Sequence, residues 1–401
     1  MFLYMFPFYG NGSATFMRNL ISELVKKKHE VAVVAPDKRK LFGVKHYLVN
    51  PPYEGVFVGH PEWNKARKFS EMSGVDLTRI YLSYLNSSIS AVKDFGPEII
   101  HCFHTIFLPP VARFIKVMYG TKYIVTTHGS DLYYLQEDRR LVGVIKDSLG
   151  IARCVTAVSE STKRQFLSIF GYGLYKKVNV ISGGVNINNL ETSTSLVDNK
   201  YNLSGKKVIL FTGRITKQKG VHYLIKAMPR VKVANTELFI VGEGPEEKNL
   251  KMLVKQLKLK NVHFLPYMKG DKLREFHQLY KRAQIFVAPS IWDEPFGLVI
   301  LEAMAYATPV IATKKGGITS IINDGENGLL VRARNSKDLA EKINLLLNDD
   351  KLRKRLSEKA RQTILDKFTW PKIAERFERI YYKYSSLAID YLREVKKPKK
   401  T

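Results

Sequence analysis

Residues 289–305 of the sequence combine a strand end, a tight loop and a helix start, and this combination is suited to binding an anion. Pro295 and Gly297 hold the loop, and the helix is predicted to begin near Gly297. The N–H groups of the first helical turn lack intrahelical partners, and they belong to Phe296, Gly297 and Leu298. At the carboxyl end of a parallel sheet, such groups face the binding crevice. The segment therefore predicts a site for a diphosphate.

Two glutamates accompany this helix start. Glu294 lies in the loop before the helix and Glu302 lies about one turn inside it, so the two carboxylates can face one ligand at different depths. The inner carboxylate suits a ribose, and the outer one suits a sugar. Glu302 also stands on an otherwise apolar helix, where a carboxylate without a partner would be costly to bury. A pair of ribose hydroxyl groups would be such a partner.

Alternating apolar runs and amphipathic stretches predict strand–helix–strand units on parallel sheets, which is an α/β fold. The predicted strands of the first half cover residues 2–9, 30–36, 99–103, 123–127, 154–158 and 178–181, and a helix covers 13–28. The predicted strands of the second half cover residues 208–212, 237–241, 262–265, 285–289 and 309–313. Residues 186–205 are rich in Asn, Ser and Thr and predict a linker, and the pattern beyond residue 336 predicts helices through residue 392.

The chain length of 401 residues is enough for two domains of about 150 to 200 residues each. We expect one Rossmann-like domain at residues 1–190, a second at 191–370, and a C-terminal helix with a basic tail at 371–401. No apolar stretch reaches the length of about 18 residues that crosses a bilayer, and the first ten residues lack the basic leader of a secretory signal. These features predict a cytoplasmic protein, and Cys102 and Cys154 are expected to be buried free thiols.

The formal net charge of +28 predicts anionic partners. The basic residues are scattered, with small clusters such as residues 396–400 in the tail. No recognisable nucleic-acid-binding module accompanies this charge, so no nucleic-acid partner is expected. A basic surface favours anionic lipid, which suggests a peripheral association at the inner face of a membrane.

The segment with the paired glutamates resembles the corresponding motif of the retaining glycosyltransferases of family 4, which have the fold called GT-B, with two Rossmann-like domains. Residues 211–220 and 241–245 agree with this family in order and spacing. The resemblance implies that Arg214 and Lys219 bind the diphosphate of the donor, where charge builds as the glycosidic bond breaks. It also implies that Glu302 binds the ribose and that Glu294 contacts the transferred sugar.

The N-terminal half resembles the family less tightly. Residues 126–131 match its His-Gly-x-Asp segment, in which the histidine, here His128, lies beside the transferred sugar. Asn11 separates two glycines that are adjacent in many relatives, and Asn186 replaces an acid. The candidates for catalysis are therefore His128, Glu294, Arg214 and Lys219. The candidates for substrate binding are Gly10, Gly12, Asp131, Gly242, Tyr267, Met268, Phe296, Gly297, Leu298 and Glu302, of which Tyr267 and Met268 correspond to the segment that borders the nucleobase.

The resemblance implies a hexosyltransferase-type reaction that retains the configuration of the anomeric carbon. A sugar would move from a nucleotide diphosphate sugar to a lipid-linked, glycan or small-molecule acceptor. The first domain would bind the acceptor and face the nucleotide-sugar domain across a cleft, and the C-terminal helices would cross back to the first domain. No Asp-x-Asp pair stands at a predicted strand end, so neither a metal nor another cofactor is expected. A catalytically silent sugar-nucleotide-binding protein and a GT-B-fold epimerase remain alternatives, and the sequence leaves donor and acceptor open.

Overall fold

A computed structural model describes residues 1–57, 66–187 and 193–385. The chain divides into two compact units, one formed by Met1–Gly183 with Trp370–Thr401 and the other by Gly184–Thr369. Each unit is a parallel β-sheet with helices between its strands, which confirms the predicted α/β class with two Rossmann-like domains. The predicted basic tail at residues 396–400 and the predicted helix end at residue 392 lie outside the described residues.

The first unit contains a seven-stranded sheet in the order β3-β2-β1-β6-β7-β8-β9 and a separate two-stranded sheet of β4 and β5. Its strands are β1 Phe2–Leu3, β2 Val31–Ala35, β3 Val44–Leu48, β4 Gly55–Val56, β5 Arg67–Lys68, β6 Ile99–Phe103, β7 Lys122–Thr127, β8 Cys154–Ala157 and β9 Val178–Val180. Its helices before residue 184 are α1 Gly12–Lys26, α2 Gly74–Phe95, α3 Leu108–Tyr119, α4 Ser130–Glu137, α5 Val142–Ile151 and α6 Glu160–Phe170.

The second unit contains a six-stranded sheet in the order β12-β11-β10-β13-β14-β15. Its strands are β10 Lys207–Thr212, β11 Thr236–Val241, β12 Val262–Leu265, β13 Ile285–Ala288, β14 Val310–Thr313 and β15 Leu329–Val331. Its helices are α7 Ser195–Tyr201, α8 Val221–Ala227, α9 Glu247–Gln256, α10 Leu273–Arg282, α11 Leu298–Ala305, α12 Ser336–Asn348 and α13 Asp350–Lys367. The last helix of the described chain, α14 Trp370–Tyr384, belongs to the first unit.

The central strands are short apolar runs because helices cover both faces of a parallel sheet. Every residue of β2 and of β13 is buried. Such runs are visible in the sequence, and this is why the interior strands of both sheets were predicted close to their observed positions.

Two edge strands, β3 and β15, were not predicted. The sequence of β3, VKHYL, carries polar side chains and is half exposed, and β15 has three residues. β3 lacks the continuous apolar run by which buried parallel strands are detected, and the apolar run of β15 is shorter than the four residues that predict a strand. The first predicted strand was also too long, since β1 ends at Leu3 and the chain then turns before Pro7, which has no N–H to add to a ladder.

The predicted linker at residues 186–205 contains a helix, α7. Val197 of α7 is buried, and the backbone N–H groups of Leu196 and Val197 both lie within hydrogen-bonding distance of the Gln278 side-chain oxygen on α10. The polar composition of this segment concealed two buried residues, Val197 and Leu203, and one buried amide partner. These are tertiary contacts, and local sequence does not encode them.

The C-terminal helix α14 packs on α1, as the predicted return of this segment to the first domain requires. Glu378 accepts hydrogen bonds from Lys27 and pairs with His29 Nε2 at 2.7 Å. Phe16 of α1 lies with its ring centroid 5.3 Å from that of Trp370. An apolar contact and a partly buried charge cluster therefore tie the chain end to the first unit.

The two cysteines, Cys102 and Cys154, are buried and free, in agreement with the sequence prediction. Among the described residues, no helix combines the length and the apolar character needed to cross a membrane.

Candidate functional site

The candidate site lies where the sheet of the second unit changes its strand order, between β10 and β13. The carboxyl ends of the strands at such a change of strand order are the usual ligand position in open parallel sheets. Arg214 and Lys219 follow β10, and Ser290 and Glu294 follow β13. The structure therefore brings the two predicted cations and the first predicted glutamate to the same edge of one sheet.

Glu294 is held in a small polar network at this edge. Lys219 Nζ and Ser290 Oγ each donate to Glu294 Oε1 at 2.6 Å, and the glutamate is 7% exposed. Burial acts to raise the pKa of Glu294, but the Lys219 ammonium and the Ser290 hydroxyl outweigh it and hold that pKa below its ordinary value. Glu294 is consequently ionised at neutral pH, and it forms an ion pair with Lys219. Ser290 was not predicted to take part.

Gly220 makes the pairing of Lys219 and Glu294 sterically possible. It has a φ of +68°, and a Cβ atom placed on it would lie 2.0 Å from the carbonyl oxygen of Pro289. Two residues away on each loop, the N–H of Ile291 donates to the carbonyl oxygen of Gln218 at 2.9 Å. The loops after β10 and β13 thus touch through their backbones, which holds the Lys219 side chain close to the carboxylate.

Gly242 fastens a third loop to the same place. A Cβ atom on Gly242 would lie 2.0 Å from the carbonyl oxygen of Gly213. The carbonyl oxygen of Glu243 accepts a hydrogen bond from the N–H of Ile215 at 2.8 Å. The turn after β11 therefore supports the turn that carries Arg214. A direct contact of Gly242 with substrate stays a prediction.

Helix α11 starts where the sequence predicted. It begins at Leu298, with Gly297 as its N-cap residue, and Phe296 is buried with its ring centroid 6.0 Å from that of Phe368. The N–H of Gly317 donates to the carbonyl oxygen of Glu294 at 2.6 Å and so anchors the loop. The helix start thus stands on a loop fixed by an aromatic contact and a backbone hydrogen bond.

The second glutamate, Glu302, has a partner that the sequence did not reveal. Tyr280 Oη donates to Glu302 Oε2 at 2.8 Å, and it lies 2.6 Å from the Thr212 hydroxyl at the end of β10. Tyr280 is buried, and its ring stacks on Tyr306 at an interplanar angle of 10°. Burial raises the pKa of Glu302 to about 6, and the Tyr280 hydroxyl partly opposes this effect. Tyr280 therefore positions Glu302, and its place in the middle of a helix gave no signal of this in the sequence.

The raised pKa of Glu302 predicts a stability gain for Glu302→Gln above pH 6. The folded state holds the proton at a pKa of about 6 and the unfolded chain at 4.5, so the ionised carboxylate reduces stability as pH rises through this window. The cost at pH 8 is about 2 kcal/mol, and glutamine removes it while still accepting from Tyr280. Urea unfolding at pH 4, 6 and 8 measures the difference between variant and wild type. We expect that difference to vanish near pH 4, whereas Glu341→Gln on the exposed side of α12 changes little at any pH.

The loop predicted to border a nucleobase has one exposed and one buried side chain. Tyr267 is 54% exposed, and its N–H donates to Glu243 Oε1 at 3.2 Å. Met268 is buried. Because Glu243 belongs to the turn after β11, this loop is tied to that turn, and the contact of Tyr267 and Met268 with a nucleobase stays a prediction.

In the first unit, His128 follows β7 and is enclosed by other rings. Its ring stacks on Phe103 at 5.2 Å and meets His104 at 4.8 Å. Burial, and then the neighbouring His104, lower the pKa of His128 to about 3, so its imidazole is neutral at physiological pH. Within the described part of the chain, its Nε2 atom is buried and has no hydrogen-bond partner. The neutral His128 imidazole can therefore form a hydrogen bond with a ligand, and it does not act as a cationic acid.

Asp131 is the hub of the loops beside His128. It is fully buried, and its carboxylate oxygens accept from the N–H of Thr105 at 2.9 Å and from the N–H of Gly129 at 2.8 Å. His104 Nδ1 lies 3.8 Å from it. The observed role of Asp131 is to position the backbone, and its predicted contact with substrate stays untested. His104 lies next to the candidate His128 because β6 and β7 are neighbours in the sheet.

The loop after β1 contains the predicted pair Gly10 and Gly12. Gly12 is the first residue of α1, and Asn11 is its N-cap residue, accepting from the N–H of Ala14 at 2.7 Å. Tyr4 Oη also donates to Asn11 Oδ1 at 3.0 Å. The asparagine that separates the glycines therefore stabilises the helix start, and substrate contacts of Gly10 and Gly12 stay predictions.

Within residues 1–57, 66–187 and 193–385, no group of three or more His, Cys, Asp and Glu side chains is arranged to hold a metal ion.

Two family patterns together span most of the sequence. The family described as "Glycosyl transferases group 1" matches residues 195–363, and "Glycosyltransferase Family 4" matches residues 10–189. An uncharacterized glycosyltransferase of Methanocaldococcus jannaschii is 30% identical over 389 residues, which cover 92% of this chain and 94% of that protein. The alpha-maltose-1-phosphate synthase of Mycolicibacterium smegmatis is 25% identical over 87% of this chain and 92% of its own length.

Solved structures share the fold. The crystal structure of Anabaena HepE in complex with UDP has a TM-score of 0.75 and 18% sequence identity, and the match covers 94% of this chain and 98% of that one.

Proposed function

The chain belongs to the group 1 glycosyltransferases of family 4, and on this premise we propose that it transfers a hexosyl group from a nucleotide diphosphate sugar with retention of the anomeric configuration. The observation that carries the proposal is the placement of Lys219 and Glu294, paired at 2.6 Å, at the switch point of the donor-side sheet. A cation there can bind the diphosphate of a sugar nucleotide, and a carboxylate there can accept hydrogen bonds from its sugar.

The leaving diphosphate is the group that needs stabilisation. Negative charge develops on its oxygen atoms as the glycosidic bond breaks, and fixed cations lower the energy of that state. We assign this role to Arg214 and Lys219, which stand on one turn after β10. These two cations make a divalent metal unnecessary in the proposed reaction.

The carboxylates are proposed to bind the rest of the donor. Glu294, ionised and buried, accepts hydrogen bonds from hydroxyl groups of the transferred sugar. Glu302, positioned by Tyr280, accepts from the ribose hydroxyl groups. Neither glutamate acts as a covalent nucleophile in this proposal, because attack from the face of the leaving phosphate also retains configuration. His128 contributes a neutral hydrogen bond to the sugar.

A thermal-shift panel of UDP, GDP, ADP and their common sugars, each with and without magnesium, tests the donor site. We expect one nucleotide to raise the midpoint in wild type with no need for metal, and Arg214→Ala and Glu302→Ala to abolish the rise. HepE, a protein of the same fold, binds UDP, which makes UDP the first ligand to try. If no nucleotide raises the midpoint at millimolar concentration, the donor assignment is wrong.

Retention is tested separately by NMR. The transferred sugar should keep the anomeric configuration that it has in the donor, and inversion would contradict the proposed mechanism without contradicting nucleotide binding. The acceptor classes left open by the sequence, lipid-linked, glycan or small molecule, are then compared with the donor thus identified.

A further inference from the structure

Helix α3 of the first unit presents an apolar side chain row to solvent. Val117 is 71% exposed and Met118 is 61% exposed, and Phe114, one turn earlier on the same side of the helix, is 39% exposed. The adjoining side of α3 packs inward through Val111 and Ile115, which are fully buried. The helix is therefore apolar on both its core side and its solvent side, which a helix that faces only water does not require.

Helix α5 extends this apolar row. Val144 and Ile151 are exposed and lie on the same side of α5 as Asp147, whose carboxylate is 3.9 Å from the Arg113 guanidinium of α3. At the far end, Lys116 Nζ of α3 donates to the carbonyl oxygen of Ile151 at 3.2 Å. The two helices thus form one surface, which we call the α3–α5 face. Its apolar members are Phe114, Val117, Met118, Val144 and Ile151.

Cations border one end of the α3–α5 face. Lys177 Nζ donates to the carbonyl oxygens of Gly150 and Ala152 at the end of α5. Burial lowers the pKa of Lys116, and the positive charges of Arg153, Lys177 and Lys122 lower it further. Arg153, Lys177 and Lys122 are therefore close enough to repel the Lys116 ammonium, and an anionic partner would relieve that repulsion.

An anionic bilayer matches both properties of this surface. Exposed aliphatic side chains on convex helices enter the boundary between headgroups and acyl chains, and adjacent cations attract lipid phosphates. A second copy of the chain would cover the apolar row but would add its own cations to a protein of net charge +28. A nucleic acid would satisfy the cations but would leave the aliphatic side chains against its phosphates.

We propose that the α3–α5 face binds an anionic lipid bilayer, with its apolar side chains in the interfacial region and its cations beside the lipid phosphates. This proposal goes beyond the transferase reaction and does not rest on it. Because α3 and α5 both end at the amino ends of the following strands, the face is formed away from the strand ends that carry His128.

Vesicle flotation of the full chain tests the proposal. We expect wild type to float with vesicles of phosphatidylglycerol and phosphatidylcholine at low salt, to float less at 0.5 M salt, and to stay behind with phosphatidylcholine alone. Val117→Ser with Met118→Ser should reduce the bound fraction about tenfold, and Lys122→Gln with Arg153→Gln should reduce it by a similar factor. The matched control, Met252→Ser with Leu345→Ser, removes exposed apolar side chains of the second unit and should float like wild type.

Two further measurements separate the outcomes. Light scattering should find the same mass for wild type and the Val117→Ser, Met118→Ser variant, and a wild-type dimer that this variant dissociates would overturn the proposal in favour of a second copy. The proposal also fails if wild type does not float at low salt or if the control variant loses as much binding. A nucleotide-induced thermal shift that persists in the variants shows that the fold and the donor site are intact, so a failure here is distinct from a failure of the proposed function.

Discussion

Lys219→Ala lowers kcat/KM by about 10²- to 10³-fold, since it removes a fixed cation from the place where charge builds on the leaving group. The same change leaves Glu294, which is 7% exposed, without the ammonium that lies 2.6 Å away. A buried carboxylate that loses its cation takes up a proton more readily, so the pKa of Glu294 should rise in the variant. Steady-state kinetics over pH 5 to 9, with the donor identified by thermal shift, measure both effects.

The neighbouring Lys217 provides the control. It lies on the same short helical turn, Lys217–Lys219, but it is exposed and the proposed mechanism does not use it. Lys217→Ala removes one charge from the same region and should change kcat/KM by less than about twofold. Equal losses in the two variants would mean that general positive charge near the turn matters and that Lys219 has no specific role.

Gly220→Ala should destabilise the protein by about 3 kcal/mol or more and should weaken nucleotide binding at the same time. One part of the loss is the cost of placing an L-residue at a φ of +68°, which is about 1 kcal/mol. The larger part comes from the new Cβ, which would lie 2.0 Å from the carbonyl oxygen of Pro289. Relief requires the loops after β10 and β13 to separate, and that movement pulls Lys219 away from Glu294.

Gly205→Ala separates the two contributions to this loss. Gly205 has a φ of +69°, almost the same as that of Gly220, but a Cβ atom on it has nothing within 4 Å among the described residues. We expect a loss of about 1 kcal/mol in its free energy of unfolding and no change in nucleotide affinity. Urea unfolding and thermal shift with the identified nucleotide measure both variants, and similar losses at the two positions would contradict the steric argument.

The interior of each sheet was predictable from the sequence because burial on both faces makes a strand locally apolar. The prediction for β12 coincides with the observed strand, and that for β6 does as well. The elements that were not predicted are those whose own sequence carries no buried apolar pattern. Helix α7 depends on the Gln278 side chain of a distant helix, and the edge strand β3 is half exposed. Neither kind of dependence leaves a periodic apolar signal.

The candidate site was predictable in its residue types and only partly in its contacts. Glu294, Glu302, Arg214 and Lys219 were found because a strand end followed by a tight turn and a helix start is suited to an anion and because their order resembles a known family. The partners that set their protonation were not found. Tyr280 lies inside a helix, and Ser290 lies in a loop among other polar residues, so neither type nor spacing distinguished them.

The sequence by itself therefore determined the α/β class, the family and the charged residues of the candidate site, since each is written in local patterns of apolar, glycine and charged positions. The tertiary structure alone decided that Lys219 and Glu294 form an ion pair, that burial raises the pKa of Glu302 to about 6, and that His128 is neutral. The physical reason is that protonation and pairing depend on burial and on distances between residues far apart in the chain. Those quantities exist only once the sheet has brought its strand ends together.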